Sequence, residues 1–225
     1  MQRTFDVLFS LTALAILAPF FFLIILILKC TGEGEIFFTQ SRVGKSGKSF
    51  KLYKFATMLK DSPNLGTGTV TLLNDPRILP FGSILRKTKI NELPQLLNIF
   101  FGDMSVIGPR PLTTQTFGAY SESTQRFITQ VRPGLSGVGS IIFRGEEEIM
   151  HGATASIEFY ANVIAPYKGA LEEWFVTNKS LYIYFVAIFT TVWAVFFPST
   201  KIVWRVFKDL PEPPKDLIEA LNFTE

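Results

Sequence analysis

The sequence predicts an α+β protein. An N-terminal membrane helix enters the bilayer and returns, and a small, mainly helical cytoplasmic domain with a short β-hairpin and interfacial helices follows. Three observations predict this. A 22-residue apolar run covers Val7–Leu28. Two segments around Gly44-Lys45-Ser46-Gly47 read as paired strands. Later segments carry helical apolar spacing punctuated by Pro and Gly. The expected divisions are residues 1–30, 31–180, 181–200 and 201–225.

About 20 apolar residues suffice to cross a bilayer as a helix, but three features of the first run favour re-entry. Arg3 precedes it, while Lys29 and a basic segment follow, so positive charge holds both ends at the cytoplasmic side. Pro19 falls mid-run, where it deletes a backbone hydrogen bond and marks the expected helix break. Asp6 is costly to bury and is expected at the interface. No small-residue cleavage site ends the run, which argues against a secretory signal. A single-pass helix kinked at Pro19 is the alternative.

Ile36–Tyr53 then reads as two short strands, too short at the turn for a P-loop. Asn74-Asp75-Pro76-Arg77 is a turn signal in which Asp75 is a candidate cap. Ser83–Lys89 and Leu93–Phe101 are expected helices, with Pro94 near a helix start. Asn91 is then a candidate N-cap, and Glu92 lies in or near the first turn. Ser121–Val131 is a further expected helix, broken by Arg132-Pro133-Gly134. Glu146–Ile149 is an acidic patch that begins or decorates a helix running on towards Trp174. Leu181–Phe197 is apolar and aromatic, slightly short for a span, and is read as a helix at or dipping into the interface; a buried core helix is the alternative. The tail from Leu210, with Pro211, Pro213 and Pro214, is expected to be an extended arm that leaves room for a homodimer contact.

Composition narrows the function. The chain has 225 residues, enough for one cored domain and a membrane element, and its 23 Phe are many for a soluble protein of this size. One cysteine, Cys30, excludes an internal disulfide. One histidine, His151, excludes a multi-histidine zinc site. Arg42, Lys45, Lys48, Lys51, Lys54 and Lys60 lie in a stretch without acidic residues. That stretch is either a solvated face or a surface against anionic lipid headgroups or a nucleotide. No nucleic-acid partner is expected.

The richest stretch is Leu85–Leu112, which sets Arg86, Lys87, Lys89, Glu92, Asp103 and Arg110 among short apolar runs. That mixture suits phosphates and a metal ion. It resembles the core motif of the bacterial sugar transferases, the monotopic polyprenyl-phosphate phosphoglycosyl transferases. Further matches fall in order: Arg3 and Asp6, Phe38 to Gly44, Lys54 to Met58, Asn74 to Ile78, Gly102 to Ser105, Gly108-Pro109-Arg110-Pro111 and Arg132 to Gly137. They cover about residues 1–140 and weaken beyond.

The resemblance implies transfer of a sugar 1-phosphate from a nucleotide-diphosphate sugar to polyprenyl (undecaprenyl) phosphate, the first membrane step of polysaccharide or glycoconjugate assembly. The implied place is the cytoplasmic face of a bacterial inner membrane, in contact with its lipids. In the family an aspartate attacks phosphorus, assisted by the next glutamate and Mg²⁺. Glu92 matches that glutamate and is the implied catalytic and metal residue. Arg86 and Arg110 match phosphate or phosphosugar contacts. Asp103 matches a family acid that touches the metal or caps a turn.

Two residues depart from the family pattern. Asn91 stands at the nucleophile and Ala56 at an arginine. An amide is a very poor nucleophile, so Glu92 takes over, or the lipid phosphate attacks directly. The alternative is a non-catalytic membrane-bound member of the same fold, a nucleotide-sugar sensor or scaffold.

Overall fold

The computed structural model describes residues 1–65, 75–144, 157–197 and 202–223. Asn74, the acidic run Glu146–Glu148 and His151 lie outside them. Among the described residues helix dominates, with a β-hairpin and a short parallel strand pair. The chain divides into two compact units. One holds Val7–Ser41 and Lys51–Phe101; the other holds Met1–Asp6, Arg42–Phe50 and Gly102–Glu225.

Helix α1 (Gln2–Cys30) fills the predicted apolar run. By length and composition it is the one helix among the described residues able to cross a membrane. The sequence predicts a break at Pro19, but the helix runs on through it, although the ring deletes one i→i−4 bond. The hairpin strands are β1 (Phe37–Val43) and β2 (Ser49–Phe55), joined by a 3₁₀ turn at Lys45–Gly47. Ser46 and Gly47 take φ values of 58° and 73° there, the left-handed region that turns a chain tightly.

In the unit that holds most of α1, one stripe of the helix meets the hairpin. Ile24 and Leu28, four residues apart on one face, are buried with Phe55 and Leu85. Phe21 meets the Phe55 ring edge-on at 5.4 Å. Burying such side chains contributes roughly 1.5–3 kcal/mol each. Helices α2 (Pro80–Lys87) and α3 (Gln95–Phe101) complete this unit. Asn98, fully buried, extends the edge of β2: its Oδ1 accepts the Tyr53 N–H at 3.0 Å and its Nδ2 donates to the Lys51 carbonyl at 2.8 Å. Gly82 lies so close to Thr57 that a Cβ would stand 2.2 Å from the Thr57 carbonyl oxygen.

Asp75 caps its own turn and not a helix, its Oδ1 accepting the Arg77 N–H at 3.0 Å. It also grips the Arg77 side chain, accepting from Nε at 2.8 Å and Nη2 at 2.5 Å. Arg77 Nη1 in turn donates to the carbonyls of Ser62 and Leu65, both at 2.7 Å. Proline at α2's first turn makes an Asp cap dispensable, since its missing donor needs no partner.

The second unit is built on a feature the sequence reading missed. Strand β3 (Ser105–Ile107) pairs in parallel with β4 (Gly134–Ser136), Ser105 opposite Gly134 and Ile107 opposite Ser136. Three-residue strands are too short to show alternation. Around them lie α4 (Thr114–Gly118), α5 (Glu122–Ile128) and α6 (Val138–Ile142). One turn, α7 (Ile157–Phe159), passes through a π segment (Tyr160–Ile164) into α8 (Ala165–Asn178). Pro166 lacks the N–H that a regular turn requires, which favours the wider turn just before it. The core gathers Ile107, Val138, Phe143, Ile164 and Leu171, among others.

Helix α9 (Leu181–Phe196) is capped by Ser180, whose Oγ accepts the Ile183 N–H at 3.1 Å. It is two-faced. Tyr184, Ala187, Thr190 and Ala194 are buried, whereas Tyr182, Phe185, Phe189, Val192 and Phe196 are exposed.

Two expectations are corrected in this unit. Asp6, expected to avoid burial, is buried in folded protein, 1% exposed. Its Oδ1 accepts hydrogen bonds at 2.9 Å from Ser105 Oγ, the Val106 N–H and Tyr184 Oη. Three donors offset the cost of taking the carboxylate out of water. The tail is not an extended arm either. After α10 (Ile202–Val206), Tyr167 Oη donates to the Pro211 carbonyl at 2.9 Å. Leu217, in α11 (Lys215–Ile218), and Leu221 then enter the core beside Phe207. Two apolar residues four apart on the last helical turn give it a face to bury.

Candidate active site

The expected site residues fall into both units. Arg86, Asn91 and Glu92 belong to the first, Asp103 and Arg110 to the second.

In the first unit, Arg86 lies in the last turn of α2, and Lys89 reverses the chain with φ 59°, a left-handed conformation. A 3₁₀ turn over Ile90–Glu92 follows, and Pro94 precedes α3. Asn91 is therefore not the N-cap of the helix. It sits inside the 3₁₀ turn, 7% exposed, and its Oδ1 is buried without a hydrogen-bond partner. Such an orphan acceptor is uncommon and costly.

Glu92 is only partly covered. Its Oε1 accepts from Lys54 Nζ at 3.0 Å, joining the 3₁₀ turn to the end of β2. Arg86 is half-buried, with Nη1 3.8 Å from Met58 Sδ. The unit thus brings an ionised carboxylate, an unpartnered amide oxygen and two cations onto β2, α2 and the turn between α2 and α3. Ala56 is buried at the end of β2.

In the second unit, Asp103 is half-buried in the turn before β3, next to Gly102 at φ 99°. Arg110 is exposed on the loop after β3. The backbone of that loop is held along its length. Gly108 N–H donates to the Ser136 carbonyl at 2.9 Å, and Gly134 N–H to the Pro109 carbonyl at 2.8 Å. Arg42 Nη1 donates to the Pro111 carbonyl at 3.1 Å. A shallow cleft bordered by Gly44, Arg110, Phe117 and Thr129 opens beside it.

Sequence reasoning missed Glu172, which the structure places under this loop. It is 5% exposed on α8, and its Oε1 accepts the Arg110 N–H at 3.3 Å. Burial pushes its carboxyl up to about 7, while the Arg110 N–H and the charges of Lys168 and Arg110 oppose that rise. The available signal was an acidic residue in a mostly apolar helix with Lys168 four positions earlier.

Mg²⁺ takes one or two carboxylates with substrate phosphates and water. Among the described residues no group of three or more His, Cys, Asp and Glu is placed to hold a metal. Glu92, 23% exposed, is a carboxylate of the kind such a cation takes together with phosphate oxygens, whereas Asn91 Oδ1 is buried.

Comparison with known proteins adds to this geometry. The family model described as bacterial sugar transferase matches residues 1–198. The chain is 35% identical over 208 residues to the exopolysaccharide production protein ExoY of Rhizobium meliloti (strain 1021), covering 86% of this chain and 84% of that protein. It is 40% identical over 146 residues to the exopolysaccharide production protein PSS of Rhizobium leguminosarum bv. phaseoli, covering 63% of this chain and 73% of that protein. It is 32% identical over 162 residues to the UDP-glucose:undecaprenyl-phosphate glucose-1-phosphate transferase of Escherichia coli (strain K12), covering 71% of this chain and 35% of that protein.

Proposed function

The chain belongs to the bacterial sugar transferase family, and from that premise we propose that it moves a sugar 1-phosphate from a nucleotide-diphosphate sugar to polyprenyl phosphate. The product opens polysaccharide or glycoconjugate assembly. The names of the relatives, exopolysaccharide production proteins and an undecaprenyl-phosphate transferase, support this reading. So does one observation at the site: Lys54 holds the Glu92 carboxylate at 3.0 Å beside the buried Asn91 and after Arg86.

In the transfer, an oxygen nucleophile bonds to the phosphorus that carries the sugar. The bond from that phosphorus to the bridging oxygen breaks, and nucleoside monophosphate leaves with the electron pair. Asn91 is neutral and cannot serve as that nucleophile. The attacking oxygen comes directly from the lipid phosphate, or from Glu92, whose phosphosugar adduct the lipid phosphate then attacks to release the carboxylate. The ion pair with Lys54 holds Glu92 in place for either role. Arg86 and Arg110 contact phosphate oxygens, for which the guanidinium fork is suited. Glu92 would hold Mg²⁺ in the first unit, and the ion would supply charge neutralisation on the phosphates.

The proposed location is the cytoplasmic face of a bacterial inner membrane. Asp6 near one end of α1 and Ile24 and Leu28 near the other are buried in folded protein, and the residues between them include exposed Leu8, Leu11, Ile16 and Phe22. Pro19 within α1 and the basic Arg3 and Lys29 at its two ends support a helix that dips into one leaflet and returns. The exposed aromatic face of α9 supports a second contact at the interface.

The test incubates the full chain with Mg²⁺, a short polyprenyl phosphate and a panel of nucleotide-diphosphate sugars, and follows nucleoside monophosphate. Acceptor-dependent release is expected from at least one donor. Asn91 and the buried Ala56 favour the second reading, a non-catalytic sensor or scaffold, which predicts donor binding with no release.

A further inference from the structure

We infer that Glu172 is a positioning residue for Arg110, holding from beneath the loop that presents the guanidinium. The inference rests on the functional reading above, where Arg110 contacts phosphate oxygens, taken here as those of the donor.

The loop lies where backbones approach closely. A Cβ on Gly137 would stand 2.2 Å from the Gly108 carbonyl oxygen, and one on Gly134 would stand 2.1 Å from Gly108 N. Glycine at these positions lets β3, β4 and the start of α6 close around the Gly108–Arg110 backbone. Glu172 enters through the gap left at Gly139, where a Cβ would lie 2.6 Å from its Oε1. That oxygen accepts the Arg110 N–H at 3.3 Å.

The carboxyl is there at a cost. Its Oε2 is buried without a hydrogen-bond partner. Lys168, 7% exposed one turn earlier on α8, acts on it together with the Arg110 charge, and its Nζ lies 5.0 Å from the centre of the Phe143 ring. An apolar side chain would fill the same place without that cost. What only an acceptor supplies is the tether to the Arg110 backbone. The side chain of Arg110 is exposed, so the direction of its guanidinium depends on how firmly that backbone is held.

The experiment is a double-mutant cycle on donor affinity. Binding of nucleotide-diphosphate sugars, beginning with UDP-glucose, is measured by calorimetry on the full chain in detergent micelles. Glu172→Gln keeps an acceptor oxygen and is expected within about twofold of the parent, whereas Glu172→Leu weakens binding about tenfold. In an Arg110→Ala background Glu172→Leu adds no further loss. Gly139→Ala, which pushes the carboxyl off the tether, reproduces the Leu effect and carries the cycle if Glu172→Leu does not fold. Additive losses, or a Leu variant that binds like the parent, overturn the positioning role while leaving the functional reading intact. A parent chain that binds no donor overturns that reading, and this inference with it.

Discussion

Lys54 Nζ stands 3.0 Å from Glu92 Oε1, tying the end of β2 to the 3₁₀ turn that precedes α3. The two side chains are 21% and 23% exposed, so water screens the pair and it stabilises the fold by less than about 1 kcal/mol. Its importance is positional: it fixes a carboxylate one residue after Asn91, where the family resemblance implies an aspartate.

Glu92→Gln is therefore expected to leave the melting temperature nearly unchanged and to lower nucleoside monophosphate release about 100-fold. Lys54→Met follows the same pattern with a smaller loss, about tenfold. Initial rates measured beside thermal melts check both.

Asn91→Asp restores the carboxylate that the family resemblance assigns as nucleophile. This variant is expected to release about one equivalent of nucleoside monophosphate from donor alone, before acceptor is added. Intact-protein mass spectrometry then finds a sugar-phosphate adduct on the variant and none at Asn91 of the parent.

Asp6 accepts from Ser105, Val106 and Tyr184 inside the second unit. Asp6→Leu leaves three donors without their acceptor and is expected to cost about 3 kcal/mol or more, and Asp6→Asn about half as much. Denaturant melts in detergent micelles read the difference.

Glu172 sets a pH dependence. Its folded value of about 7 exceeds the unfolded 4.5, so the folded state binds more protons between them. Stability from this group is fully present below about 4.5 and declines as pH rises through 7. The decline is on the order of 3 kcal/mol. Lys168 and Arg110 face the carboxyl and limit it. Glu172→Gln flattens the stability profile between pH 5 and 7, which melts across that range detect.

The outward face of α9 is expected to touch lipid. Environment-sensitive probes at Phe189 and Val192 are quenched by brominated phospholipids in vesicles, and a probe at Lys179 is not. Equal quenching at all three positions contradicts an interfacial helix.

Much of this was legible in the sequence because the signals were local. The apolar run foretold α1, the two segments joined at the Gly44–Gly47 turn foretold the hairpin, and Pro94 marked the start of α3. The residues Arg86, Asn91 and Glu92 came from a motif and fall together in one unit. What stayed hidden depends on distant partners. Asp6 is buried because Tyr184, 178 residues away, donates to it. Glu172 reaches Arg110 across 62 residues of chain, and β3 finds β4 through three-residue strands with no periodicity to read. Asn91 looked like a helix cap because the 3₁₀ turn that displaces it hangs on the left-handed Lys89.

Transfer itself is tested most directly by following a radiolabelled sugar from its nucleotide into the polyprenyl-phosphate fraction. The parent chain with Mg²⁺ is expected to place label in the extracted lipid from at least one donor, with Glu92→Gln near background. Folded parent protein that binds a donor yet labels no lipid from any member of the panel would contradict sugar-phosphate transfer.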